Sequence, residues 1–157
     1  MEELIKVARE RGIDIEDLII SALSKIDPQE GLRIRMELAK RYLNEMDEYL
    51  RKGDAVQASE RLYKAAEECV KVLAEKLNIP EYQQAIREGR WYTYLLTRAA
   101  GTLSTRLGDW VSNGWSSAYV LHVWGGFHEA KLGVNDLMPY IDKVRALVRE
   151  TENVLGQ

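Results

Sequence analysis

Apolar residues recur every three or four positions along most of this chain, the spacing of one face of an α-helix. The clearest run starts at Asp27-Pro28, a helix-start signal with Glu30 three residues after the capping Asp, and continues to about Arg51. Its apolar positions alternate spacings of four and three: Leu32, Met36, Ala39, Leu43, Met46 and Leu50. This spacing predicts a helix with one seam against a nearly antiparallel neighbour.

A second helical run follows almost at once. Gly53 ends the first helix, and Asp54, with Gln57 three residues later, caps the next, so the two helices are expected to form a hairpin. The predicted inward face consists of Ala58, Leu62, Ala65, Ala66, Cys69 and Leu73. The predicted outward face is charged and is expected to be solvated, with ion pairs four residues apart: Glu60, Lys64, Glu67, Glu68, Lys71 and Glu75.

The rest of the chain continues the helical pattern. We predict helices from about Arg90 to Val111, from about Trp115 to Leu132, and from Asn135 or Asp136 onward, with stops at Asn113-Gly114 and Gly133. Residues 1–26 predict two short helices, with Asp14 capping the second. The predicted fold is therefore all-α: an N-terminal helical appendage at 1–26, and an up-and-down antiparallel bundle of four to five main helices at 27–157.

Composition narrows the class of protein. With 157 residues, 46% of them hydrophobic, the chain is long enough to bury one core. Its net charge of -3 gives no strong electrostatic signature for nucleic acid or an anionic membrane. No apolar run is long enough for a membrane helix, and a single cysteine, Cys69, fits a reducing compartment, so we expect a cytoplasmic protein. No phosphate loop or catalytic triad order appears, and we expect no cofactor.

The segment LHVWGGFHEAKLG, residues 121–133, contains the only two histidines. On one regular helix His122 and His128 would lie about 240° apart, which disfavours a metal site built from both. Each glycine inside a helix costs about 1 kcal/mol against alanine. The adjacent Gly125 and Gly126 therefore indicate that a neighbouring helix, a partner subunit or a ligand approaches the backbone there.

Two main interpretations of this segment remain open. In the first, its aromatic residues are core or dimer-interface packing, and each histidine makes one hydrogen bond: Trp115, Tyr119, Trp124 and Phe127. In the second, a polar pocket brings His122, His128 and Glu129 to Arg98 or Arg106 of the preceding helix. A metal site shared across a dimer is a third alternative, with few ligands to form it.

Three residues of the hairpin can also be interpreted either as structural residues or as site residues. Lys64 is expected to be a surface partner of Glu60 and Glu68, and Tyr63 to be half-buried with its hydroxyl in water. A ligand-binding role for Tyr63 and Lys64, together with Trp124, is the alternative. Cys69 is expected to be a small core residue rather than a nucleophile.

The stretch KGDAVQASERLYKAAEECVKVLAEKL, together with the later VLHVWGGFHEAKL, resembles the archaeal PaREP family, which belongs among the HEPN-like helical domains. The similarity spans roughly residues 30 to 155. It implies an up-and-down bundle of four or five helices that is often dimeric. Many HEPN relatives are metal-independent ribonucleases with an arginine shortly before a histidine. The positions where that arginine would stand hold other residues here: Ser117, Ser116 and Trp115 before His122, and Val123, His122 and Leu121 before His128.

The resemblance therefore favours a homodimeric binding or accessory module, with a nucleotide or RNA ligand and a toxin–antitoxin-like context implied by the resemblance alone. A ribonuclease with a rearranged Arg and His pair is the first alternative, and a structural scaffold is the second. The aromatic residues of the predicted 115–132 helix point in several directions. We therefore expect a second copy to cover this helix or the N-terminal helical pair.

Overall fold

The computed structural model describes residues 1–127 and 129–157. Within them it contains eight α-helices and no strand: α1 Glu2–Glu10, α2 Ile15–Ile26, α3 Pro28–Arg51, α4 Ala55–Leu77, α5 Pro80–Glu88, α6 Thr93–Leu107, α7 Trp110–Trp124 and α8 Val134–Leu155. The predicted all-α helical bundle is confirmed. None of these described helices combines the length and the apolar character that crossing a membrane requires.

The chain divides into two compact units, residues 1–35 and 36–157, and the division falls inside α3. In the N-terminal unit, Asp14 caps α2 as predicted, because its carboxylate accepts a hydrogen bond from the Asp17 N–H at 3.0 Å. A second contact joins α2 to the first part of α3, where Arg35 Nη1 lies 2.8 Å from Asp17 Oδ1. Both side chains of this ion pair are largely buried.

The larger unit is organised around α4, which contacts α5, α6, α7 and α8. The predicted hairpin of α3 and α4 is confirmed: Gly53 adopts a left-handed conformation with φ of 75°, and Asp54 accepts a hydrogen bond from the Gln57 N–H. Glu45 of α3 lies 3.0 Å from Arg61 of α4 across this hairpin. All six predicted inward residues of α4 are fully buried: Ala58, Leu62, Ala65, Ala66, Cys69 and Leu73.

The prediction that the charged residues of α4 face solvent is wrong in part. Glu60, Glu68 and Lys71 are each less than 7% exposed. Lys71 Nζ lies 3.7 Å from Glu68 Oε1, so this charged pair is buried together. Because α4 is packed on several sides, it has no wide solvated face, and its charges are compensated by partners instead.

The break between α6 and α7 also differs from the prediction. It occurs at Gly108-Asp109, where Gly108 has a φ of 123°, and not at Asn113-Gly114. Gly114 is buried inside α7, and a Cβ built on it would lie 2.6 Å from Leu147 Cβ of α8. Glycine at 114 thus permits a close helix crossing and is not a helix stop.

The bounds of the later helices differ from the prediction. The helix expected to run from Trp115 to Leu132 ends at Trp124, so the glycine pair follows α7 and does not interrupt it. The helix expected from Arg90 begins at Thr93, and α5 occupies a segment for which no helix is predicted. The last helix begins at Val134, where the Asp136 carboxylate accepts a hydrogen bond from the Gly133 N–H at 2.9 Å.

The hairpin leads to a stability prediction at Ala65. This residue is fully buried in α4, so Ala65→Leu must place three additional carbons in a filled core. We expect a loss of about 2 kcal/mol in the free energy of unfolding, measured by urea denaturation. Lys64→Leu, a change at the exposed neighbouring position, is the control and is expected to be nearly neutral. A neutral Ala65→Leu would mean that Ala65 faces solvent.

Candidate functional site

The most distinctive polar contact in the larger unit joins His122 of α7 to Glu60 of α4. The His122 Nδ1 atom lies 3.2 Å from Glu60 Oε1 and 3.3 Å from Glu60 Oε2. The glutamate is 6% exposed, whereas the histidine side chain is 22% exposed. A buried carboxylate therefore holds one edge of a partly accessible imidazole, and this contact fixes the orientation of the ring.

The same carboxylate also holds the segment that follows α7. The Phe127 N–H donates a hydrogen bond to Glu60 Oε1 at 3.2 Å. A Cβ at Gly126 would overlap Glu60 Oε1 and lie 2.9 Å from both Glu60 Cδ and the His122 carbonyl oxygen. Gly126 thus leaves the space in which the Glu60 carboxylate sits.

The adjacent glycine has a similar explanation. A Cβ at Gly125 would overlap Ser59 Oγ and lie 3.0 Å from the Leu121 carbonyl oxygen. Both glycines are buried. Of the three candidates for what approaches the glycine pair, the structure shows the neighbouring helix, α4. Gly125 and Gly126 receive the side chains of Ser59 and Glu60 respectively.

Aromatic rings surround the imidazole. Tyr63, one turn after Glu60 on α4, stacks on His122 with ring centroids 4.0 Å apart and planes 13° apart. Trp115 lies against the same tyrosine at 5.5 Å, and its indole N–H donates to the Thr97 hydroxyl of α6 at 3.1 Å. Tyr119 is tilted against His122 at 6.3 Å and is 41% exposed. The histidine ring is therefore held by stacking as well as by the Glu60 contact.

Tyr63 is 6% exposed, so it is buried and not half-buried as predicted. Burial raises the pKa of the Tyr63 hydroxyl well above its ordinary value, and the negative charge of Glu67 raises it further. The phenol stays protonated at neutral pH and acts here as a neutral stacking surface.

The other predicted site residues are more dispersed. Trp124 and Glu129 are exposed near the end of α7, and His128 lies outside the described residues. Lys64 is exposed, and its ammonium lies 5.7 Å from the centre of the Tyr42 ring. Of the predicted candidates, the structure brings together His122 and Tyr63. Lys64 does not join them.

Neither Arg98 nor Arg106 forms a hydrogen bond or ion pair with His122 among the residues that the structure describes. Arg98 follows Thr97, whose side chain faces Trp115, so its own side chain is turned about 100° away and is exposed. Arg106 lies near the far end of α7, where the Ser104 hydroxyl accepts a hydrogen bond from the Ser112 N–H. His122 is ten residues further along α7, about 15 Å away along the helix axis.

Sequence reasoning missed Glu60 as a site residue. The i, i+4 charge pattern placed it opposite Lys64, whereas the fold directs it to His122. One signal was available in the sequence, because the adjacent Gly125 and Gly126 indicate that some group approaches the backbone closely there.

The geometry allows proton handling or polar recognition at one oriented imidazole next to exposed aromatic rings. Among residues 1–127 and 129–157, no cluster of three or more His, Cys, Asp or Glu side chains is arranged to hold a metal ion.

Cys69, the only thiol, leads to a pH prediction. Burial raises the pKa of the Cys69 thiol from 9.0 to about 12. The unfolded chain loses this proton near pH 9 and the folded chain does not, so the contribution to stability is complete below pH 9 and is lost as the pH rises towards 12. We expect Cys69 to contribute a fall of about 1.4 kcal/mol per pH unit in the free energy of unfolding above pH 9. Urea denaturation at several alkaline pH values should show a shallower fall in Cys69→Ala, and identical slopes would contradict the assignment.

The fold and this site define an all-helical bundle protein in which a central helix holds a histidine of a neighbouring helix. The sequence profile of the archaeal PaREP1/PaREP8 family matches residues 34–148, and the chain belongs to this family.

Two solved structures are similar to this chain. A crystal structure of a protein from Sulfolobus solfataricus is 36% identical, with a TM-score of 0.71, and the match covers 76% of this chain and 98% of that one. A solution structure of the Orf c02003 protein, the same structural-genomics target, is 37% identical with a TM-score of 0.66, covering 74% and 90% of the two chains. The comparison with curated proteins finds no match.

Proposed function

We propose that this protein is a HEPN-like binding or accessory module that acts as a homodimer, and that its ligand carries a nucleotide base and phosphate. The observation that carries the proposal is the contact between the buried Glu60 carboxylate and His122, whose side chain is partly exposed to solvent. A residue that only packs does not need a buried ionisable partner, because burying a charge is costly.

Exposed aromatic and cationic side chains support the ligand class. Helices α6 and α7 are antiparallel, because Trp115 is hydrogen-bonded to Thr97 and Ser112 to Ser104. The start of α6 and the end of α7 therefore lie at the same end of the bundle. That end exposes Tyr92, Tyr94, Tyr119, Trp124 and Phe127. Exposed aromatic rings stack on nucleic acid bases at about 1 to 3 kcal/mol per base.

Arginine supplies the complementary charge. The Arg90 guanidinium lies 4.4 Å from the centre of the Tyr92 ring, and Arg98 is exposed on the same helix as Tyr94. From Gly89 to Ser104 the sequence contains two arginines and no acidic residue, although the whole chain has a net charge of -3. This local excess of positive charge suits a phosphate group.

The test is calorimetric titration of the full chain with a nucleoside monophosphate and, separately, with a short single-stranded RNA. We expect binding of one or both, weakened at least tenfold by His122→Ala and by Tyr119→Ala. Met138→Ala, at an exposed apolar position of α8, is the matched control and should bind normally. Equal affinity of wild type and His122→Ala would remove the histidine from the site.

The two alternatives give different results in the same experiment. The rearranged ribonuclease requires Arg98 or Arg106 beside a histidine and predicts cleavage of the RNA, whereas the binding module leaves it intact. A structural scaffold predicts no binding of either ligand. For the homodimer, light scattering is expected to give twice the chain mass of 18.0 kDa.

A further inference from the structure

The face of α6 that lies along α5 carries an exposed tyrosine and an exposed arginine. Tyr94, Arg98 and Thr102 are spaced four residues apart, so they share one face of α6. At one end of this row, Gln84 Nε2 of α5 lies 3.3 Å from the Tyr94 hydroxyl oxygen. At the other end, the Thr102 hydroxyl donates a hydrogen bond to Glu81 Oε1 of α5 at 2.8 Å. Arg98 therefore lies between these two contacts, at the α5–α6 seam.

The tyrosine at this seam presents a surface on which a base can stack. Tyr94 is 51% exposed, and its ring stacks on the Tyr92 ring with centroids 5.9 Å apart and planes 22° apart. A base that stacks on an aromatic side chain strengthens binding by about 5- to 150-fold. The seam therefore offers a stacking surface that belongs to α6 and faces α5.

Polar groups border the Tyr94 ring. The Gln84 amide nitrogen lies within hydrogen-bond distance of both the Tyr94 hydroxyl and Glu88 Oε1, so the amide oxygen is the group that can accept from the amino group of a base. Arg98 is exposed one turn after Tyr94, and a guanidinium in that position suits a phosphate. Glu81 is buried against Thr102 and leaves the exposed side of the seam to Arg98.

The α5–α6 seam is close to the His122 site. Tyr63 stacks on His122 at 4.0 Å, and its hydroxyl is at the start of α6: burial raises the pKa of this hydroxyl, and a hydrogen bond with the Thr93 side chain offsets part of the rise. One tyrosine side chain thus separates His122 from Thr93, a span that two linked nucleotides can bridge. Thr93 faces α4 and Tyr94 faces α5, about 100° apart around α6, so one base does not cover both surfaces.

We propose that the α5–α6 seam is a second nucleotide subsite, and that the ligand therefore contains two nucleobases joined through phosphate. This inference rests on the proposed function, which places one nucleotide at His122. The second base stacks on Tyr94 and directs its amino group to Gln84, while Arg98 contacts the phosphate. Adenine carries such an amino group, which makes adenine nucleotides the suitable probes.

Calorimetric titration of the full chain with adenosine monophosphate and with a 5′-phosphorylated, 3′,5′-linked adenine dinucleotide tests the second subsite. We expect the wild type to bind the dinucleotide at least about tenfold more tightly than the mononucleotide. Tyr94→Ala should lose this advantage while its affinity for the mononucleotide stays within about twofold. Ile86→Ala changes an exposed apolar residue on the opposite side of α5 from Gln84, so this matched control should keep the advantage. Equal wild-type affinities for the two ligands, or an undiminished advantage in Tyr94→Ala, would overturn the proposal.

A pyrophosphate-linked adenine dinucleotide, titrated alongside, distinguishes a free dinucleotide of that kind from a nucleic acid strand. The linkage that binds more tightly identifies the source, and its advantage must also depend on Tyr94.

The variant His122→Ala separates this inference from the proposed function. Mononucleotide binding that requires His122, with no gain from the second nucleotide, would overturn the seam subsite and leave the proposed function standing. Binding of neither ligand by the wild type would overturn both. Circular dichroism checks that Tyr94→Ala and His122→Ala remain helical, so that a lost affinity reports the site and not the fold.

Discussion

We expect Gly114→Ala to lower the free energy of unfolding by about 3 kcal/mol, although alanine is the better helix former. The built Cβ lies 2.6 Å from Leu147 Cβ, 3.0 Å from its Cδ2 and 3.2 Å from its Cγ. The first of these atoms is fixed to the α8 backbone and cannot rotate away, so α7 and α8 must move apart. Overpacking of this kind typically costs 1 to 3 kcal/mol, and this close backbone approach places the variant at about the upper end.

Gly101→Ala is the matched control, because Gly101 is also inside a helix but is exposed and has no atom within 4 Å of a built Cβ. Here the helix propensity of alanine acts alone, and we expect a gain of up to about 1 kcal/mol. Urea denaturation of the two variants should therefore give changes of opposite sign. A gain in both variants would show that α7 and α8 do not cross closely at Gly114.

Three glycines, Gly53, Gly108 and Gly114, explain which parts of the fold could be predicted. The hairpin of α3 and α4 was predictable because a left-handed glycine and a capping aspartate are local signals next to each other. Asn113-Gly114 gives an equally strong local signal for a helix stop, but packing against Leu147 determines its role. The actual break at Gly108 has the same residue type, so sequence alone does not separate a glycine that ends a helix from one that permits a crossing.

Part of the candidate site was also predictable from the sequence, and part was not. His122 was predicted as a site residue, and the glycine pair correctly indicated a close approach to the backbone. The identity of the approaching group was not predictable, because Glu60 is 62 positions away in sequence and its helical neighbours suggested a surface ion pair. The contact with Arg98 or Arg106, which the polar-pocket interpretation requires, does not form with His122, because the register of α6 against α7 places both arginine side chains elsewhere and no local pattern specifies that register.

The last prediction concerns the contact between Glu60 and the segment after α7. We expect Glu60→Ala to cost about 3 kcal/mol in the free energy of unfolding, because His122 Nδ1 and the Phe127 N–H both lose their acceptor in a largely buried position. Hydrogen bonds to a charged group contribute about 1.5 to 3 kcal/mol, and a buried donor left unpaired adds a desolvation cost. Glu60→Gln keeps the shape and one acceptor oxygen, so it should cost less.

Gly126→Ala tests whether this carboxylate is the reason for the glycine. When Glu60 is present, the methyl group of Gly126→Ala overlaps Glu60 Oε1 and displaces the carboxylate. We expect this to lower the free energy of unfolding by about 2 kcal/mol. When Glu60 is already alanine, that overlap is absent, while the 2.9 Å approach to the His122 carbonyl oxygen remains. Urea denaturation of both single variants and the double variant forms a thermodynamic cycle. The double variant should be at least 1 kcal/mol more stable than additivity predicts, since interacting neighbours typically couple by about 0.5 to 3 kcal/mol. Additive losses would mean that the backbone conformation after α7 requires the glycine. The Glu60 carboxylate would then lie beside Gly126 without needing the space that the glycine leaves.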